Sequence, residues 1–329
     1  IRDNQDICCF RQFPFFYEIC KAIETKNWVD IENEYYRFLT SFLVATPKYE
    51  APNILNNELD FIKLKLIEYL TLIQKKQIQG LPVNEDIKNE ILSPISNKEI
   101  SVDSFAKKAW KEFIEKRKNL LDEEWKELLQ NYNRKYVTER LIEINAFKNR
   151  HWRGRLPLDF LRPDKIMLLN FNYTKTADMY LPSGGSDCFS VNHIHGELAN
   201  PQGVIFGYGD DLDDNYKKLL KLAENEYLRN IKSINYLSSE NYRRMQNFIE
   251  SAPYQVFIMG HSCGNSDRTL LNMLFEHKNC VSVKPFFYRK KDGTDNYLEI
   301  VQNICRNFKD MKLMRSCVVN QELCHPLST

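Results

Sequence analysis

The stretch from Tyr254 to His277, YQVFIMGHSCGNSDRTLLNMLFEH, limits what this chain can fold into more than any other. Val256, Phe257, Ile258 and Met259 form a short continuous apolar run, which suits a strand covered on both faces. Gly260 and Gly264 bracket a turn where the backbone passes close to something. Asn265, Ser266 and Asp267 are capping residues, so a helix is expected to start there and to carry Leu270, Leu271, Leu274 and Phe275 inward. A strand that feeds a polar glycine turn and a helix start is a ligand-site pattern of α/β sheets. The same turn, Gly260-His261-Ser262-Cys263-Gly264, matches G-x-S-x-G and raises a serine hydrolase reading on Ser262.

Other segments repeat this texture after Asp164. Strands are predicted at Ile166–Phe171, Ser190–His195, Val204–Phe206, Val281–Tyr288 and Met314–Val319. Helices are predicted over Asn215–Ile249, with a break near Ser238, and over Asp295–Phe308. Strands alternating with helices imply a largely parallel sheet with crossovers. The first 160 residues differ: Gly80 and Gly154 are their only glycines. Helical periodicity marks Phe10–Lys26, Trp28 to about Ala45 behind an Asn27 cap, Ile54–Gln77, and Ser104 to about Arg150. The expected architecture is α/β, with a mainly helical lobe over 1–160 and a Rossmann-like parallel sheet core over 161–329. The lobe shows no polar clustering at strand ends, so a regulatory or assembly role is expected of it rather than chemistry. Basic residues gather between Arg134 and Arg155, with Tyr136 and Trp152 among them. A phosphate-binding surface would use such a pattern, but a solvated helix face produces it more often.

Composition narrows the function classes. The 46 lysines and arginines against 44 acidic residues leave a net charge of +2, which argues against a dedicated nucleic-acid binder. Nine cysteines lack regular spacing in a chain too large to need staples, so they read as reduced and the compartment as cytoplasmic. No apolar run reaches a membrane span and no signal peptide is visible. The chain begins at Ile1 rather than Met, and native residues are expected ahead of it.

Three loops follow three of these strands: Asn170-Phe171-Asn172-Tyr173-Thr174, His193-Ile194-His195-Gly196-Glu197, and Gly260-His261-Ser262. In a parallel sheet such loops gather along one edge, where ligands bind. One reading is a nucleotide glycosidase, in which an Asn amide holds a water or ribose hydroxyl, a His acts as general base, and the Gly-Ser turn offers backbone N–H groups. A serine hydrolase would need Asp295 or Asp310 with His325 behind Ser262, on too little remaining sheet. A metal site on His193 and His195, completed by His261, Asp210 and Asp267, competes with the commoner role of a buried, hydrogen-bonded histidine. No metal is therefore expected.

The motifs NFNYT, HIHGE, IFGYGDD, GHSCGNSD and the early WVDIE (Trp28 to Glu32) together resemble the AbiH family of bacterial phage abortive-infection proteins over nearly the whole chain. AbiH proteins look like relatives of sirtuin-like domains, which cleave the nicotinamide–ribose bond of NAD. The resemblance implies an antiphage effector with NAD as substrate. It implies a sirtuin/DHS-like form of the core, and it places the catalytic roles on His195 and Asn172 and the G-x-S loop on Gly260 and Ser262; Asn170, Tyr173, Thr174, Gly196, His261 and Asp267, in or beside the same loops, are also expected to contact the nucleotide. A non-catalytic nucleotide-binding sensor is the alternative. Expected partners are a nucleotide, a second copy or a defence protein, and a phage-derived trigger. The chain departs from the sirtuin-type loop at Thr174, where that loop ends in Asp. It also shows no Gly-Asn-Gly-Phe-Asp-like phosphate loop before Cys8.

Overall fold

The computed structural model describes residues 13–26, 30–44, 51–78, 80–130, 144, 158–182 and 187–327. The described chain opens with helices α1 (Pro14–Lys26), α2 (Ile31–Thr40), α3 (Pro52–Ile73), α4 (Glu85–Ile91) and α5 (Ser104–Gln130). Then come β1 (Ile166–Asn170), β2 (Phe189–His193), and three helices, α6 (Asp214–Leu220), α7 (Lys232–Asn235) and α8 (Asn241–Ser251). The chain closes with β3 (Tyr254–Ile258), α9 (Arg268–Phe275), β4 (Cys280–Pro285), α10 (Tyr297–Arg306) and α11 (Met311–Cys317). The architecture is mixed α/β, with a large helical portion and two short parallel strand pairs.

Local chemistry explains most boundaries. The Asp30 carboxylate accepts from the Asn33 backbone N–H at 3.0 Å and caps α2, while Pro52 occupies the first turn of α3, where its missing N–H costs nothing. The expected Asn27 cap lies outside the described residues, as do Trp28, Gly154 and the basic stretch Arg134–Arg155. The helix read over Asn215–Ile249 is three helices, with the expected break at Ser238 and a further one between Leu220 and Lys232.

β1 pairs with β2 and β3 with β4, both in parallel. The apolar runs in IMLLN and in Val256–Ile258 were sound guides to β1 and β3, whose residues are half-buried except at their buried C-terminal ends, while β4 is buried throughout. Two predicted strands are corrected. Val204–Phe206 joins no strand: Ile205 N–H bonds only to His195 O, beyond the end of β2, and the neighbouring Tyr208 bridges Ile231. Met314–Val319 does not form a strand: Asp310 accepts from the backbone N–H groups of Lys312 and Leu313, which starts α11 and leaves only Val318 to bridge Val283.

Among the described residues, two large buried clusters and a small third one around Ile67, Leu198 and Val204 form the core. One joins α8, α9, α10 and α11 to the strands, around Met245, Phe275, Val283 and Ile304. The other mixes the early helices with later loops: Phe15, Tyr35, Phe38 and Leu59 pack with Phe206, Tyr208, Leu219 and Ile231. Tyr36 stacks on Tyr208 with centroids 3.8 Å apart and donates to Asp213 at 2.6 Å. The buried Lys284 ammonium pairs with Glu99 at 2.9 Å and pins the chain ahead of α5 to β4. Among the described residues, no helix is long and apolar enough to cross a membrane.

Candidate functional site

The polar residues that the sequence places after β1, β2 and β3 meet a lysine and a glutamate from elsewhere. After β2 the chain turns sharply: Gly196 N–H donates to His193 O at 2.9 Å, with φ at +83°. A Cβ at Gly196 would run into the Gly203 carbonyl, so glycine is required there. The Ile205 N–H then donates to His195 O at 2.9 Å. These bonds face His195 inward, edge-on to Phe171 at 5.3 Å between centroids.

The turn after β3 supplies the opposing wall. Gly260 sits at φ +76° and Cys263 at φ +55°. The Cys263 N–H donates to His261 Nδ1 at 2.9 Å, which aims the other ring nitrogen at Asp267. Asn303 and Asn307 on and beside α10 donate to the carbonyls of Ser262 and Cys263 at 2.8 and 2.9 Å and hold the turn. Burial pushes the Cys263 thiol up to about 12, so it is an inert packing group at neutral pH.

Asp267 is the hub. Its carboxylate lies 2.8 Å from Lys232 Nζ, 3.2 Å from His195 Nε2 and 3.6 Å from His261 Nε2. The Tyr236 hydroxyl lies 3.2 Å from His195 Nε2. Lys232 also pairs with Glu32 at 2.7 Å, and Glu32 accepts from the Gly207 N–H at 3.2 Å. Lys232 is only 1% exposed. Burial works against its charge, but Asp267 and Glu32 outweigh that and hold the ammonium above its ordinary range. Burial likewise opposes the Asp267 carboxylate, yet Lys232 and then His195 keep it well below the usual carboxylate range. The core sets the Glu32 and Asp267 carboxyl groups against one ammonium, with Lys232 and Asp267 buried and the Glu32 side chain 16% exposed.

The IFGYGDD segment explains how a lysine reaches this depth. Tyr208 N–H donates to Asn230 O, and Lys232 N–H donates to Tyr208 O, so the segment lies against the start of α7. A Cβ at Gly209 would come within 3.1 Å of both Lys232 Cβ and Ser266 O, so the glycine lets the two chains close up. Asp210 pairs with Arg268 at 3.0 Å and anchors the far end.

The other expected site residues lie around this hub. Asn170 donates through Nδ2 to Thr174 O and His193 Nδ1, both at 3.0 Å, while its Oδ1 receives the Asn172 N–H. Asn172 is exposed, and the structure records no bond from its side chain to His195. Tyr173 donates to Ile205 O at 3.0 Å and lies 6.4 Å from the His195 ring. The buried Thr174 hydroxyl meets that of Thr176. Ser262 is exposed. The residues proposed to complete a triad with it are engaged elsewhere: His325 pairs with Glu90 at 2.7 Å, Asp310 caps α11, and Asp295 accepts from the Tyr297 N–H. Among the described residues, no group of three or more His, Cys, Asp and Glu side chains could hold a metal ion.

Sequence reasoning missed Glu32, Lys232 and Tyr236. Glu32 reaches the hub from the first turn of α2, in the lobe expected to serve regulation or assembly. Its presence in WVDIE was the available signal, though nothing local told it from a solvated helix-start acid. A family model described as "Bacteriophage abortive infection AbiH" matches residues 5–289. No curated protein and no solved structure matches the chain.

Proposed function

This chain belongs to the AbiH family of bacteriophage abortive-infection proteins, and from that premise we propose that it cleaves the nicotinamide–ribose bond of NAD at the His195–Asp267 hub, on a Rossmann-like core. The observation that carries this reading is the buried Glu32–Lys232–Asp267 chain ending on His195, beside the C-terminal ends of β1, β2 and β3. Cleavage at ribose C1′ passes through an oxocarbenium-like state. Nicotinamide leaves as a neutral ring, so no acid is needed for its departure. The site must then steady a developing cation and take a proton from a water or ribose hydroxyl. Two acidic groups around one buried ammonium, with Asp267 held ionised, suit the first task. A histidine oriented by a carboxylate suits the second. In this reading Asn172, exposed just after β1, would meet a ribose hydroxyl, and Gly260, His261 and Ser262 would form the rim. A second copy or a defence protein, and a phage-derived trigger, would control access.

One observation favours a second reading, a non-catalytic nucleotide sensor: His195 is only 4% exposed, and its Nε2 already faces two protein groups. The deciding experiment incubates purified protein with NAD, with and without phage lysate, and measures nicotinamide. Release that is lost in His195→Ala supports the enzyme. Calorimetric binding of NAD or ADP-ribose without turnover selects the sensor, and neither binding nor turnover removes both.

A further inference from the structure

A neutral imidazole carries its proton on one nitrogen, and the partners of the two nitrogens decide which. His193 and His261 each meet a donor at Nδ1. The Asn170 amide donates to His193 Nδ1 at 3.0 Å, and the Cys263 N–H donates to His261 Nδ1 at 2.9 Å. Each lone pair therefore sits on Nδ1, and each neutral ring is protonated on Nε2. Those Nε2 atoms face carboxylates, Asp178 at 2.9 Å and Asp267 at 3.6 Å. His195 has the same kind of Nε2 side and a different Nδ1 side. Its Nε2 lies 3.2 Å from Asp267 Oδ1 and 3.2 Å from the Tyr236 hydroxyl. Among the described residues, its Nδ1 has no hydrogen-bond partner. Nor is it one of the side-chain atoms closed off without a partner, which are Arg117 Nε, Asn192 Oδ1, Arg268 Nε and Asn307 Oδ1. Its lone pair therefore meets space that a water or a ligand hydroxyl can enter.

We propose that Asp267 fixes His195 in the form protonated on Nε2, so that Nδ1 is the atom that accepts a proton from a water or a ligand hydroxyl. The identity of that ligand rests on the nucleotide reading above; the tautomer does not. Two arrangements compete. With the proton on Nδ1, the Nε2 lone pair would receive the Tyr236 hydroxyl but would face the Asp267 oxygen with no proton between them. With the proton on Nε2, the ring donates to an ionised carboxylate, a bond about twice as strong as a neutral one. Against the effect of burial, Lys232 at 2.8 Å keeps Asp267 ionised, so the second arrangement prevails. Packing holds the ring in place: the Ile205 N–H fixes His195 O, and the rings of Phe171, Tyr236 and Tyr173 stand 5.3, 6.1 and 6.4 Å away. Asp267 is thus a positioning residue, as the buried carboxylate is beside the imidazole of a Ser-His-Asp triad. The two protein groups at Nε2 then do not block the base, because its lone pair is on the other nitrogen. In the cleavage reading, the water oxygen bonds to C1′ as the C1′–N bond breaks and its electron pair neutralises the nicotinamide ring. One water proton passes to Nδ1, and the imidazolium returns it to solvent.

Long-range proton–nitrogen correlation spectra of the histidine-labelled 329-residue chain read each tautomer directly. His195→Gln assigns the His195 signals, and His193 and His261 serve as internal references for the form protonated on Nε2. At neutral pH the free protein should show His195 with a pyrrole-type Nε2 and a pyridine-type Nδ1. Tyr236→Phe should leave that pattern unchanged. Asp267→Ala should move the two His195 nitrogens toward a common averaged shift, with circular dichroism as the check on folding. Saturating ADP-ribose should move the His195 Nδ1 signal upfield and leave that of His193 in place. A His195 ring protonated on Nδ1, or on both nitrogens, overturns the proposal. So does a pattern that depends on Tyr236 and not on Asp267, and so does ADP-ribose that binds by calorimetry without moving Nδ1. If Asp267→Ala does not fold, the spectrum of the free protein and of Tyr236→Phe still decide. Nicotinamide release that fails while His195 is protonated on Nε2 removes the cleavage reading and leaves Asp267 as the residue that sets the tautomer. Release from a protein whose His195 is protonated on Nδ1 keeps the enzyme and removes the proposal.

Discussion

His193 and His195 lie two residues apart, both are buried, and both pair with an aspartate, yet their surroundings differ in kind. His193 Nε2 meets Asp178 at 2.9 Å and its Nδ1 meets the Asn170 amide at 3.0 Å, so each ring nitrogen has one dedicated partner. That arrangement fixes the loop after β1 to β2. His195 faces a carboxylate that it shares with a buried lysine and a second histidine, and the lysine is shared again with Glu32. The lesson is that a buried Asp–His pair is not in itself a functional signature. The number of convertible charges behind the carboxylate separates a brace from a site.

The largest expected effect tests that separation directly. His195→Ala should lose on the order of 10²–10⁴-fold in nicotinamide release, the usual range for a general base. His193→Gln should retain measurable release in whatever protein folds, as judged by circular dichroism. Equal losses in folded protein would erase the distinction between the two histidines.

Stability sharpens the comparison next. Lys232→Met leaves Asp267 and Glu32 buried without their cation, and urea unfolding should fall by about 3–5 kcal/mol. Asp178→Asn keeps a hydrogen-bonding group beside His193 and should cost about 1 kcal/mol. Adding Glu32→Gln and Asp267→Asn to Lys232→Met should recover part of the loss, because the neutral triad no longer strands a charge. Equal costs for the two single variants would show that the hub is no more charge-dependent than the brace.

A smaller effect concerns acid. The folded Asp267 carboxylate titrates well below its ordinary value of 3.8. The folded protein therefore holds fewer protons than the unfolded chain just below that pH. The stabilisation is complete above about pH 4 and is lost as the pH falls through the folded value. Asp267→Asn should flatten the acid limb of a stability–pH curve in that window. An unchanged acid limb would mean that Asp267 is not held ionised. The smallest effect belongs to Ser262→Ala. The side chain is exposed and has no triad behind it, so nicotinamide release should change by less than about threefold. Fluorophosphonate labelling that depends on Ser262 would reverse that reading.

The strands were legible because doubly covered strands announce themselves as continuous apolar runs. Ile166–Leu169 and Val256–Ile258 show this texture within one short window, whereas β4 reads CVSVKP, with Ser282 and Lys284 between apolar residues. The GHSCGNSD turn was legible for a similar reason: its glycines, capping residues and apolar helix stripe are local signals. Met311–Cys317 was misread because a short apolar run fits strand or helix equally, and the Asp310 cap tipped it. The hub itself was only half visible. His195, His261 and Asp267 stand next to strand ends and could be named from their positions. Lys232 and Glu32 stand 200 residues apart and look like ordinary surface charges in their own helices. Only packing of α2 and α7 around Gly207 and Gly209 buries them together, because burial and charge pairing depend on what approaches through space. The local pattern along the chain determined which segments became strands and turns. The tertiary fold decided which charges would share one dry interior.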